Sequence, residues 1–254
     1  MNPDNQNFDI LIAKPREFDA KKKEDPKLTS IMKEGIIPKH PFSICMTAPS
    51  GSGKSTLLLH MLEHPQFYGH YFDRKNIHIL SKTAKSDPLY RDVDVPKKNI
   101  HTSNFQSVLD TFIKKRARLV ERKGKENTHP TLMIFEDSTN EKKFMKSKSF
   151  LDSFVLLRHY NVSIISVIHK LRSLERTARM SVGHLICFPC SLNEVNTIVD
   201  DFAPSNMNKK EFRKLVHYAF QPSDTDTHPF LYICNKAPFK TRYRKGFHTI
   251  LELT

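Results

Sequence analysis

Short apolar runs bounded by turn residues alternate along this chain with longer stretches whose apolar positions recur every three or four residues. The first run, residues 43–47 (SICMT), predicts a buried strand. From Lys54 the pattern changes to Leu57, Leu58, Met61 and Leu62, a helical spacing that fades towards Pro65. Residues 77–81 (IHILS) predict a second strand and 131–135 (TLMIF) a third. Between them, 105–120 has helical spacing through Val108, Leu109, Phe112, Ile113 and Leu119. The second half repeats the alternation, with a helix at 150–157, a strand at 162–168, a basic helix at 171–180 and a strand at 184–188. Helices at 192–202 and 209–220 follow, and 230–234 and 249–253 read as closing strands. Such alternation predicts an α/β fold with a mainly parallel sheet flanked by helices. The first 38 residues break the pattern with Pro3, Pro15, Pro26, Pro38 and a charge run at 21–25. They read as a flexible N-terminal extension, 1–38, ahead of one domain at 39–254.

Composition narrows the class. Among 254 residues, 38% are hydrophobic, enough for a core, while a mean hydropathy of -0.50 implies a polar surface. Lys and Arg number 41 against 27 Asp and Glu, a net charge of +14 and a pI near 9.6. That excess points to a polyanionic partner, nucleic acid above all. The longest apolar run, 162–168, is interrupted by Ser163 and Ser166 and falls far short of the roughly 20 residues that cross a bilayer. No membrane association is expected, and the start MNPDNQNFDI has no secretory pattern. Four cysteines do not make a disulfide framework. Cys187-Phe-Pro-Cys190 has zinc-like spacing but no second pair, and Cys187 falls in an apolar strand, so no zinc site is expected.

Ala48-Pro49-Ser50-Gly51-Ser52-Gly53-Lys54-Ser55, followed by Thr56, fits the phosphate-loop pattern with alanine in the first glycine position. A strand precedes it and a helix follows, the context that pattern requires. Gly51 and Gly53 let the backbone curl so that successive N–H groups face phosphates. The helix beginning near Lys54 adds its positive end. Lys54 is expected to reach the β- and γ-phosphates of ATP, and the Ser55 hydroxyl to ligate Mg²⁺.

The strand at 131–135 runs into Glu136-Asp137. Adjacent acids at the end of a parallel strand put one beside the metal and the other near the γ-phosphate, where it polarises water. Glu136 stands where Asp is usual, so either acid can take either role. A strand-like segment between the loop and these acids favours motor-type ATPases of the RecA/ASCE-like class over kinases and GTPases.

Past the acids come Arg158-His159-Tyr160-Asn161, the strand 162–167, His169, a basic helix with Arg179, and the strand 185–188. This block resembles the genome-packaging ATPases of large eukaryotic DNA viruses and their virophages, the poxvirus-type branch of the FtsK–HerA class. The aromatic run 230–234 and the basic segment 242–247 extend the likeness over roughly residues 40 to 250. The resemblance implies that His169 occupies the polar sensor position, where Gln is usual. It also implies that Arg179 belongs to an Arg-x-Asn element with Ser181 in place of Asn. The implied function is Mg²⁺-dependent ATP hydrolysis coupled to moving double-stranded DNA into a capsid, by a homo-oligomeric ring. Viral capsid vertex proteins are implied as further partners. The host cytoplasm, at the viral factory, is the implied location, with the virion as a second.

A ring ATPase completes each site with a neighbour's guanidinium. Arg158, Arg176 and Arg179 are the candidates, Arg179 first and Arg158 second. Residues 111–125 hold seven basic residues and one acid, a density suited to DNA phosphates. Lys142, Lys143, Lys146 and Lys148 suit a pore loop. A viral helicase or recombination ATPase shares the loop and the charge, and a DNA-binding structural protein with a degenerate ATPase site is the alternative from another class.

Overall fold

Apolar runs become strands here wherever both of their faces are covered. In the computed structural model, which describes residues 25–86, 90, 93–136, 141–224 and 226–251, the strands are Ser43–Thr47 (β1), Ile77–Leu80 (β2), Ile100–His101 (β3), Thr131–Glu136 (β4) and Val162–Ile168 (β5). His184–Cys187 (β6), Leu231–Cys234 (β7), Tyr243–Lys245 (β8) and Thr249–Ile250 (β9) complete them. Among the described residues these form one sheet in the order β3-β2-β4-β5-β1-β6-β7-β8-β9. All pairings from β3 to β6 are parallel, and β7, β8 and β9 join antiparallel. Every residue of β4 and β5 is buried. That is why β4 reads as a near-continuous apolar run, and why β5 shows no alternation although Ser163 and Ser166 lie within it.

Successive side chains divide between the two faces. Ile44, Met46, Leu132, Ile134, Ile165 and Val167 pack with Leu58, Met61 and Leu62 of helix Lys54–Glu63 (α2). Cys45, Met133, Phe135 and Ile164 face the other layer, built from Phe105–Lys123 (α3), Lys148–Leu156 (α5), Arg176–Ser181 (α6), Leu192–Phe202 (α7) and Lys209–Ala219 (α8). Two further helical turns are Ser30–Lys33 (α1) and Lys142–Met145 (α4).

Three expectations change. The single helix at 171–180 divides into a 3-10 turn, Leu171–Ser173, and α6, because Leu171 and Leu174 both enter the core. Glu194 of α7 accepts the N–H of Leu171 at 2.6 Å and of Arg172 at 3.3 Å, which caps that turn. Strands β3 and β8 carry no apolar run: β3 has two residues, and β8 buries the charged Arg244 beside Tyr243. The packed chain also starts before residue 39. Met32 and Ile37 are buried, Tyr68 donates to the Pro38 carbonyl at 2.8 Å, and Arg244 donates to the carbonyls of Gly35 and Ile36 at 3.2 and 3.3 Å. Single side chains reach the core there, so no period announces it. Residues 1–24 of the expected extension lie outside the described residues.

The Arg-His-Tyr-Asn block has a structural part. Asn161 adopts the left-handed conformation (φ 58) at the turn into β5. Its amide donates to the Thr128 carbonyl at 2.8 Å, which turns Oδ1 towards His40 Nε2, also at 2.8 Å. His40 Nδ1 lies 2.6 Å from the Ser163 hydroxyl. Arg116 donates to the carbonyls of Tyr160 (2.7 Å), His129 and Asn161 (both 3.3 Å). These bonds lock the amino ends of β4 and β5 together.

Burial lowers the pKa of His40 to about 4, against the pull of its Asn161 hydrogen bond. Burial likewise brings His78 to about 4 and His184 to about 3. All three are neutral in the folded chain, whereas in the unfolded chain they take up protons near pH 6.5. The unfolded state therefore binds more protons below that pH, and stability should fall between about pH 6.5 and 4, by up to about 1.4 kcal/mol per unit for each histidine. Urea unfolding at about pH 7 and about pH 5 measures this, above the range where most carboxylates titrate. Equal midpoints at the two values would contradict it.

Candidate functional site

The carboxyl ends of β4, β5, β1 and β6 meet where the chain's crossovers change direction. From β1 the chain passes out to β2 and β3, returns through β4 and β5, and then crosses to β6 on the far side of β1. Open α/β sheets bind ligands in the crevice at such a switch. β5 lies between the loop strand and the acid strand, so Glu136 reaches the loop across one intervening strand.

The loop leaves β1 after Thr47 and enters α2 at Lys54. Gly51 (φ 77) and Gly53 (φ 88) take the left-handed turns that residues with a side chain resist. Gly53 is the N-cap residue and has no side chain with which to cap the helix. The first-turn N–H groups of α2 are thus left to an anion. Lys54 is 6% exposed, and its ammonium donates to the carbonyls of Ala48 (2.9 Å) and Pro49 (2.7 Å). The charge is held within the loop and not in solvent.

Ser55 Oγ donates to Glu136 Oε1 at 2.8 Å, joining residues 81 positions apart. Glu136, the last residue of β4, is 3% exposed. Its second oxygen accepts the Tyr90 hydroxyl. The extra methylene of Glu over Asp is accommodated, since the carboxylate still meets the loop serine. Tyr90 was not visible in the sequence: it stands 46 positions before Glu136 in a stretch with no period. Asp137 lies outside the described residues. His169 directly follows β5, whose Ile168 carbonyl accepts the Ala48 N–H at 3.3 Å, so it stands half-buried beside the loop.

Serine hydroxyl and carboxylate are hard oxygen donors that suit Mg²⁺. Among the described residues no group of three or more His, Cys, Asp and Glu could hold a metal by itself. Magnesium in nucleotide sites takes one or two protein oxygens plus phosphates. The residues present fit that ion.

A family model described as poxvirus A32 protein matches residues 31–235. The chain belongs to that family. This A32-family chain is 24% identical over 173 residues to DNA packaging protein OPG160 of Variola virus, covering 66% of the chain and 60% of that protein. The corresponding protein of vaccinia virus (strain Copenhagen) is 25% identical over 166 residues, covering 63% and 58%. The chain thus spans about 60% of the length of these relatives. Its fold is that of the genome packaging NTPase B204 from Sulfolobus turreted icosahedral virus 2, solved in complex with AMP. The TM-score is 0.59 at 13% identity, over 84% of this chain and 100% of that one. The same NTPase with ATP-gammaS gives a TM-score of 0.55. Among the described residues of the A32-family chain, no helix is long and apolar enough to cross a membrane.

The preferred arginine of this A32-family chain is occupied within its own subunit. Arg179 Nε donates to Asp201 Oδ2 at 2.6 Å and Nη1 to the Leu174 carbonyl at 2.5 Å. Its side chain is 13% exposed and that of Asp201 4%. Arg176 reaches the other oxygen of Asp201 at 3.1 Å. Arg179 is thus engaged within its own subunit by a buried carboxylate, whereas Arg158 is exposed. Arg179→Ala should lower stability by about 1–3 kcal/mol, because the buried carboxylate loses its nearer cation and keeps only the exposed Arg176. Urea unfolding measures the loss. A wild-type midpoint with hydrolysis alone abolished would give Arg179 a catalytic role instead.

The lysines after the acids do not form an extended loop. Lys142 and Lys143 lie on α4 and Lys148 begins α5, with Phe144 and Met145 turned into the core. Of the seven basic residues at 111–125, Arg116 is buried and the others are exposed.

Proposed function

We propose that this chain is a Mg²⁺-dependent ATPase that moves double-stranded DNA during viral genome packaging, working as a homo-oligomeric ring. The observation that carries the reading is the meeting of Ser55 with the buried Glu136 at 2.8 Å beside a lysine-bearing phosphate loop. The packaging role draws support from relatives named DNA packaging protein and from the net charge of +14. The exposed basic face of α3 suits sequence-blind contact with DNA phosphates. Capsid vertex proteins as docking partners, and the viral factory and the virion as locations, follow from the same role.

In this reading the ammonium of Lys54 moves from the loop carbonyls to the β- and γ-phosphates. Ser55 and Glu136 would hold Mg²⁺, which when bound offsets phosphate charge as a Lewis acid. Tyr90 and Ser55 fix the Glu136 carboxylate by hydrogen bonds at both oxygens. Asp137 is assigned the water-polarising role and His169 that of a sensor beside the loop. Arg158 of a neighbouring subunit is assigned the charge-neutralising role at the γ-phosphate.

The test is the rate of ATP hydrolysis with and without duplex DNA, beside the oligomer mass under the same conditions. A rise with duplex DNA and a ring-sized mass are expected. Hydrolysis indifferent to DNA would contradict the motor reading, and separation of the strands would favour a helicase.

A further inference from the structure

We infer that His228 forms the outer wall of the nucleotide site and packs its ring against the ribose–base end of the bound nucleoside triphosphate. The inference deepens the proposed ATP reading and rests on it. Its ground is a contact that no motif announces. A Cβ built on Gly53 would meet His228 Cδ2 at 3.5 Å and Cγ at 4.0 Å. The exposed imidazole therefore lies where a side chain on the glycine directly before Lys54 would touch it.

The sheet order says which part of a nucleotide comes there. Ser55 and Glu136 mark the metal side of the loop, towards β4. A triphosphate that lies along the loop with its γ end on that side points its α-phosphate and nucleoside the opposite way, over β6 and β7. β7 runs antiparallel to β6 with Leu231 opposite Cys187, so the chain just before β7 arrives at this same carboxyl face. His228 is three residues before Leu231.

The histidine stands on a fixed support. Pro229 is buried, and Phe230 packs on Phe188 (5.4 Å between centroids) and Phe247 (5.0 Å). The His228 N–H donates to Asp226 Oδ1 at 3.2 Å. The Thr227 hydroxyl lies 3.0 Å from Nδ1, and the ring turns its Cδ2 and Cγ atoms towards Gly53 of the phosphate loop. An exposed flat ring at the nucleoside end of a phosphate loop has the chemistry of a stacking surface.

The experiment compares two probes, ATP and inorganic tripolyphosphate, by calorimetric titration of the full chain. Tripolyphosphate keeps the phosphates and lacks ribose and base. His228→Ala should weaken ATP binding roughly tenfold, the scale of one lost ring contact. Tripolyphosphate affinity should not change, and His228→Phe should bind ATP like the wild type. Thermal unfolding of both variants should match the wild type, since the side chain is exposed. Equal losses for both probes, no loss for either, or a His228→Phe variant as weak as His228→Ala would overturn the inference. A wild-type chain that binds neither probe would instead overturn the nucleotide-site reading beneath it.

Discussion

Lys54→Ala should abolish ATP hydrolysis, by a factor on the order of 10² or more, while leaving the fold intact. The side chain is buried, and its ammonium donates to the loop carbonyls of Ala48 and Pro49. Its removal takes away the loop's own positive charge at the point where negative charge gathers during phosphoryl transfer. In the absence of nucleotide the loop is still shaped by Gly51 and Gly53 and anchored by β1 and α2, neither of which depends on the ammonium. The strand keeps its pairing with β5 and β6. Thermal unfolding should therefore move little, and ATP affinity should drop. Steady-state phosphate release by the purified variant decides the matter. A rate near that of the wild type would remove Lys54 from the site, and a collapsed unfolding temperature would give it a structural role instead.

The parts of this site that were legible in the sequence are those fixed by local spacing. A glycine-rich loop needs its strand, its left-handed turns and its helix within about a dozen residues. An acid strand buried on both faces must read as an apolar run. Glu136 and the loop were therefore visible, and their meeting could be inferred from mutual need. Tyr90 could not be found this way, because its bond to Glu136 is made by tertiary proximity alone. Arg179 is the opposite case. Its place in a recognisable element does not show Asp201, 22 positions away, which holds its guanidinium. Arg244 and Arg116 were likewise counted among basic runs, and the structure spends both on backbone carbonyls. A run of charges in a sequence does not say which members face inward.

The short strands failed for a related reason. β8 pairs with β7 through Tyr243, Arg244 and Lys245, residues whose burial depends on what covers them. Arg244 lies over the Tyr232 ring at 5.7 Å and reaches back to the segment before β1. That segment, apolar only at isolated positions, is fixed by the same arginine. Neither half of the pair carries a period, so each becomes legible only with the other in place.

Arg158 is expected to act in trans, and its loss should lower hydrolysis by roughly 10³ to 10⁵, the range that such arginines supply. It lies in the turn Leu157–Tyr160 at the amino end of β5, whereas the phosphate loop lies at the carboxyl ends. The seven residues of β5, at about 3.3 Å each, put more than 20 Å between that turn and its own loop. No side chain spans that gap, so Arg158 cannot reach the loop of its own subunit. It is exposed and shares a small cleft with Lys236 and Ser181, a positive edge suited to a neighbour's phosphate. Among the described residues no ion pair holds it, in contrast to Arg176 and Arg179. A lysine lacks the planar fork, so Arg158→Lys should be nearly as impaired as Arg158→Ala. The decisive measurement mixes subunits carrying Lys54→Ala and an intact Arg158 with Arg158→Ala subunits that keep their own loop. Each population alone should be inactive, and mixed rings should regain hydrolysis at interfaces where a good loop faces a good arginine. If mass measurements establish that mixed rings formed and no activity returns, Arg158 does not complete a neighbour's site.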